Sequence, residues 1–172
     1  MNEVTLPPLA TAQEESWSGL LDVAERVPTG WCLIGGQLVH LHCWERDAAP
    51  NRPTNDVDTV LDVRTTPKIL KTFTSALLDL GFSPDGESWE GHQHRWTREK
   101  ATIDVLIATN LGEQAGSRKG VMGGTTLETP GGQAALDRSE RVTIILGNRK
   151  GIINQPNLLG AILVKSAAYT IG

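Results

Sequence analysis

The stretch RPTNDVDTVLDV, residues 52–63, sets Asp56 and Asp58 two positions apart in a segment otherwise rich in β-formers. Asp is disfavoured in strands, and alternate strand residues share a face. Asp56 and Asp58 would therefore project the same way, with Val60 beyond them, while Val57, Thr59, Leu61 and Val63 form the buried side. Two adjacent carboxylates repel unless a positive charge lies between them. A hard divalent cation such as Mg²⁺ or Mn²⁺ meets that need with carboxylate oxygens. A third carboxylate, Asp104, occurs in ATIDVLIA, where Ile103, Val105 and Ile107 face away from it. Gly35-Gly36 stands between a short apolar run, WCLI, and a helical pattern. Glycines there let the backbone approach a phosphate, and a helix N-terminus favours anions. A phosphate cradle and three metal-binding carboxylates are what nucleotidyl transfer requires.

The elements that must position these residues can be read along the chain. Residues 1–10, with two prolines, read as an irregular lead-in. Thr11-Ala-Gln-Glu14 has the capping-box pattern, and Trp17, Leu20, Leu21, Ala24 and Val27 follow at helical spacing. WCLI is a strand, Gly35-Gly36 a turn, and residues 37–46 a helix. DAAPNRPTN is a loop, followed by a strand from Asp56 to Val63. Thr66-Pro67 opens a helix with an apolar stripe at Ile69, Phe73, Leu77 and Leu80. SPDGES is a turn. HQHRWTR and ATIDVLIA, split by Glu99-Lys100, predict a β-hairpin. Residues 109–132 read mostly as loop, with a short helix after Gly132. RVTIIL and Ile152-Ile153 read as strands, and Pro156 as the opening of a last helix to about Tyr169. This mixture, with hairpin-like connections, predicts an α+β domain with a mixed central sheet flanked by helices, not a doubly wound parallel sheet.

A chain of 172 residues suits a single domain. The net charge is −4, so no bulk basic footprint marks a nucleic-acid binder. Cys32 and Cys43 form no Cys-x-x-Cys pair, which argues against a zinc site and fits a reducing compartment. No signal-peptide pattern and no run long enough to span a membrane is seen, so a cytoplasmic location is expected.

The run LIGGQ, then RPTNDVDTVLDV, then TIDVLIA resembles the polymerase-β-like nucleotidyltransferase superfamily. The Arg-x-Thr-x-Asp-x-Asp form and the closing PNLLGAILVKSAA look most like the AbiEii/MenT-type nucleotidyltransferase toxins. The resemblance covers roughly residues 13–170, although its specific motifs occupy a small part of that span. It implies a nucleotidyltransferase fold and Mg²⁺-dependent transfer of NMP from an NTP to an acceptor hydroxyl. In several such toxins the acceptor is the 3′ end of tRNA, and a cognate antitoxin is a partner. It assigns the metals to Asp56, Asp58 and Asp104, with Asp104 as general base. Gly35 and Gly36 would carry the triphosphate contact, and Lys165 would steady the phosphates. Two departures stand out. The gap from Gly36 to Asp56 is long, with DAAPN reading as an insertion, and the chain ends at Gly172 without the further helical region expected of longer relatives.

Other readings stay open beside these. The Asp56/Asp58 pair could be a solvated strand edge, and Gly35-Gly36 a plain turn. Lys165 shares a helical face with Leu158, Ile162 and Tyr169, so it either binds phosphate or snorkels from an apolar face. Asp62 reads as structural. His92 and His94 alternate on one strand and read as surface residues before metal ligands; His40 and His42 read as packing or surface residues. Arg52 and Arg95 could both reach phosphates; Arg52, on the loop just ahead of the aspartates, is the preferred candidate, and Thr54 on the same loop is a further expected nucleotide contact. The alternatives in function are a small-molecule, antibiotic-type nucleotidyltransferase, which the acidic charge favours over tRNA, and a non-catalytic nucleotide- or partner-binding module.

Overall fold

The computed structural model describes residues 1–86, 93–108, 119–124 and 126–171, the side chains of residues 127 and 168–171 excepted. In chain order the elements are β1 (Asn2–Thr5), α1 (Thr11–Arg26), β2 (Trp31–Ile34), α2 (Gly35–Glu45), β3 (Val57–Leu61), α3 (Ile69–Asp79) and β4 (Ser83–Pro84). They continue with β5 (Arg95–Arg98), β6 (Ala101–Ala108), β7 (Leu127–Thr129), α4 (Gly132–Asp137), β8 (Ser139–Leu146), β9 (Arg149–Pro156) and α5 (Leu158–Ile171). The architecture is α+β with mixed sheets. One sheet has the order β2-β3-β6-β5-β4, with β7 also pairing β6; the other has the order β1-β8-β9.

Within the larger sheet, β2 and β3 are antiparallel, β3 and β6 parallel, and β6 and β5 antiparallel. The alternation of each strand then decides what each face touches. Val57, Leu61, Ile103, Val105 and Ile107 form one core with Trp17, Leu20 and Leu21 of α1 and Phe73 and Leu77 of α3. Burying each such large side chain contributes roughly 1.5–3 kcal/mol. On the other face, Cys32, Ile34 and Val60 pack against Ala135 of α4 and Val164 of α5. Asp58 is on this second face, two residues before Val60.

Several local expectations are corrected. The lead-in holds a strand, β1, paired in parallel with β8, from Asn2 opposite Val142 to Thr5 opposite Ile145. Its partner lies at the far end of the sequence, and no local pattern signals such pairing. The capping box does not form: Ala10 is the N-cap, and Thr11 already has a helical position, from which its hydroxyl cannot cap. Gly35-Gly36 is the first pair of residues of α2 instead of a separate turn, because Gly35 adopts φ +75° and bends β2 straight into the helix. β3 is shorter than expected. Asp56 precedes it, and Asp62 follows it in a turn, its Oδ1 accepting from Thr65 N at 3.1 Å. Residues 83–84 add a short strand to the expected turn, and residues 127–129 add one to the expected loop. β9 runs eight residues and takes in Pro156; Asn157 caps α5, its Oδ1 accepting from Gly160 N at 2.9 Å. The β5–β6 hairpin forms as expected, with Glu99 at φ 54° in its two-residue turn. The expectations for His92, residues 109–118 and the side chain of Tyr169 fall outside the described residues.

Candidate metal and nucleotide site

The pairing registers bring the carboxylates together. Asp58 on β3 lies directly opposite Asp104 on β6, and Asp104 lies directly opposite Arg95 on β5. A row of three side chains thus crosses three neighbouring strands on one face, with Asp56 at the mouth of β3. One oxygen from each of Asp56, Asp58 and Asp104 falls within 4.8 Å of the others. Asp104 is buried, while the Asp56 side chain is 38% exposed. Thr59 Oγ1, on the opposite face, donates to the Asp104 carbonyl at 2.9 Å and helps fix that strand position.

Electrostatics shows what this grouping demands. Asp58 is pushed up to about 8, first by burial and then by the charge of Asp104, to which it also hydrogen-bonds; Asp56 adds to the rise and Arg95 opposes it. Asp58 therefore holds a proton at neutral pH when no cation is bound. Arg95 supplies a positive charge that faces the triad. Its Nε and Nη2 donate to the two oxygens of Asp104, each at 2.9 Å, and Nη2 donates to Asp56 Oδ2 at 3.2 Å. These bonds hold the guanidinium more firmly protonated than usual. Three clustered oxygen donors, one protonated for want of counter-charge, fit a hard divalent cation.

α2 closes one side. A Cβ at Gly35 would collide with the Asp58 carboxylate, so the helix start and the second aspartate interlock. A Cβ at Gly36 would come within 3.0 Å of the Thr54 side chain. A cavity of about 230 Å³ is lined by Gly35, Asp58, Leu106, Thr129, Val164 and Lys165 among others. An adjoining cavity of about 410 Å³ is lined by Gly36, His40, Arg52, Thr54 and again Lys165. All the residues expected at the site are therefore brought around one region. Lys165 is exposed, and the apolar stripe beside it is not core: Leu158 is 44% and Ile162 54% exposed.

Two roles at the site were not assigned from the sequence. Arg95, ranked behind Arg52, is the side chain that grips the carboxylates. A signal existed: a two-residue turn at Glu99-Lys100 pairs position 95 with 104 by counting back along the hairpin. The second role falls to a buried polar group on α1 and α2. Gln37 Oε1 accepts from Gln13 Nε2 at 2.9 Å and Trp17 Nε1 at 2.8 Å, and Gln37 Nε2 donates to the Thr54 carbonyl at 3.0 Å. His40 Nε2 pairs with the Arg52 carbonyl at 2.6 Å. These bonds tie the long loop carrying Arg52 and Thr54 to α2. Gln37→Leu is expected to cost about 2–3 kcal/mol by stranding the Trp17 and Gln13 donors. Urea unfolding checks this, and a loss below about 0.5 kcal/mol would remove the network from the argument.

Compared with protein-family models, curated proteins and solved structures, the chain has no match. Among the described residues, no helix is long and apolar enough to cross a membrane.

Proposed function

We propose that the chain is a metal-dependent nucleotidyltransferase with the nucleotidyltransferase fold, in which an acceptor hydroxyl attacks the α-phosphorus of an NTP, takes up the NMP and releases pyrophosphate. The observation that carries this reading is the in-register row Asp58–Asp104 beside Asp56, on the face where Gly35-Gly36 opens α2. Asp56, Asp58 and Asp104 would hold Mg²⁺ or Mn²⁺, which when bound would neutralise charge at the α-phosphate and activate the acceptor hydroxyl. The first amides of α2 favour a triphosphate by their orientation. Lys165 lines the cavity of Asp58 and also that of Arg52 and Thr54, so it can reach a phosphate chain spanning both. At about 410 Å³ the outer cavity is of ligand-binding size. Asp104 would accept the proton of the acceptor hydroxyl. Both its oxygens are engaged by Arg95, so that role requires Arg95 to yield at least one.

The tRNA 3′ end is the proposed acceptor, and a toxin countered by an antitoxin protein the proposed setting; both rest on the motif resemblance. The test is incubation with Mg²⁺, total tRNA and each α-labelled NTP in turn. Label on tRNA is expected, reduced at least ~10³-fold in Asp56→Ala/Asp58→Ala. Tight NTP binding without labelled tRNA would move the acceptor to a small molecule. Neither label nor NTP binding would leave a non-catalytic module.

A further inference from the structure

We propose that Arg95 is a resident counter-cation that a bound metal must displace, and that its release makes the guanidinium available to the incoming phosphates. This inference rests on the metal reading of the three aspartates. Arg95 takes both oxygens of Asp104 and Oδ2 of Asp56, which are among the oxygens a cation held by the triad would use. The grip is specified by the fold, since the β5–β6 hairpin sets Arg95 directly across from Asp104. Carboxylates have lone pairs to spare, but two cations a few ångströms apart repel strongly in a partly buried site. Sharing is therefore disfavoured against exchange. Exchange also has a path: the Arg95 side chain is 42% exposed and can swing outward without unpacking the core. A guanidinium so released lies beside the metal, where a phosphate offers the bidentate partner it has lost. Arg95 is in this view a positioning residue. It keeps the carboxylates gathered before the metal arrives and then becomes an anion ligand.

The experiment has two readouts besides activity. Calorimetric titration with Mn²⁺ alone compares wild type, Arg95→Gln and Arg95→Lys, with circular dichroism checking the fold. Arg95→Gln is expected to bind Mn²⁺ at least tenfold more tightly, with Arg95→Lys between it and wild type. The second readout is the Arg95 Nε–Hε NMR signal of the wild type, which is expected in EDTA and should be lost or shifted at saturating Mg²⁺. In Asp104→Asn it should already be absent in EDTA. Equal or weaker Mn²⁺ affinity in both variants, or a signal unmoved at metal saturation, would overturn the exchange and leave the metal reading intact. Absence of Mn²⁺ binding in folded wild type and variants alike would overturn both. If Arg95→Gln fails to fold, Arg95→Lys and the wild-type NMR signal decide.

Discussion

Asp58→Asn is expected to make the metal-free protein more stable at pH 8 while abolishing the proposed nucleotidyl transfer. Asp58 titrates at about 8 in the folded chain against an ordinary value of 3.8. Between those values the unfolded chain has lost a proton that the folded chain keeps. The Asp58 contribution to stability is thus complete below about pH 4, falls as the pH rises, and is lost by about pH 8. Asn presents the same shape, donates to Asp104 in place of the protonated carboxyl, and never ionises. In EDTA, wild type and variant should unfold alike at or below about pH 4, and the variant should gain several kcal/mol by pH 8. That corresponds to a rise in Tm of several degrees or more for a chain of this size. Added Mg²⁺ should stabilise the wild type and not the variant, and so narrow or reverse the gap. Urea unfolding at several pH values decides the matter. A variant no more stable than wild type at pH 8 would mean that Asp58 does not carry this burden. A site that costs stability when empty and functions when filled is a common trade in enzymes.

Gly35→Ala should be strongly disruptive for a single added methyl. Alanine at φ +75° is strained, and the new Cβ would collide with the Asp58 carboxylate. The collision extends to Asp58 Cγ at 2.9 Å and Cβ at 3.0 Å, so a rotation of the carboxylate alone does not relieve it. The backbone strain costs about 1–2 kcal/mol and the overpacking about 1–3, together a large share of a typical domain's stability. Asp58→Ala in the same chain should recover most of the overpacking part, all but the contact with the retained Cβ, and none of the strain. A double-mutant cycle should therefore show coupling of about 1–3 kcal/mol. Strict additivity would show that the helix start and the aspartate do not interlock.

The sequence disclosed the site's members better than its grammar. Asp56, Asp58 and Asp104 were legible because a carboxylate in an apolar alternation has few uses, and their shared face follows from a period of two. Gly35-Gly36 was legible as special but misread as a turn, since a positive φ that ends a strand can also begin a helix. Arg95 and Arg52 could not be ranked by residue type, because what separates them is cross-strand register. Gln37 stayed hidden because a buried polar pair leaves no mark on hydropathy, and His40, read as a packing or surface residue, is indeed packed, with a hydrogen bond to the loop that hydropathy does not show. β1 was missed because its pairing with β8 joins opposite ends of the chain. The α+β class survived these errors, since it depends on element types and connection lengths and not on exact boundaries.

The register that aligns Asp58 with Asp104 also bears on how the chain reaches its native pairing. β3 and β6 pair in parallel across a long intervening segment, and their buried side chains are mostly interchangeable aliphatics. Such strands have little in their apolar faces to discriminate one alignment from the next. A one-residue slip of β6, however, would turn Asp104 into the core beneath α1 and α3 and set Ile103 and Val105 on the open face. The β5–β6 hairpin would carry Arg95 inward with it, and burying this charged pair in an apolar core costs several kcal/mol, enough to make the misaligned sheet short-lived. The carboxylate proposed to do chemistry would then serve earlier as a proofreading mark, rejecting wrong strand alignments before folding is complete.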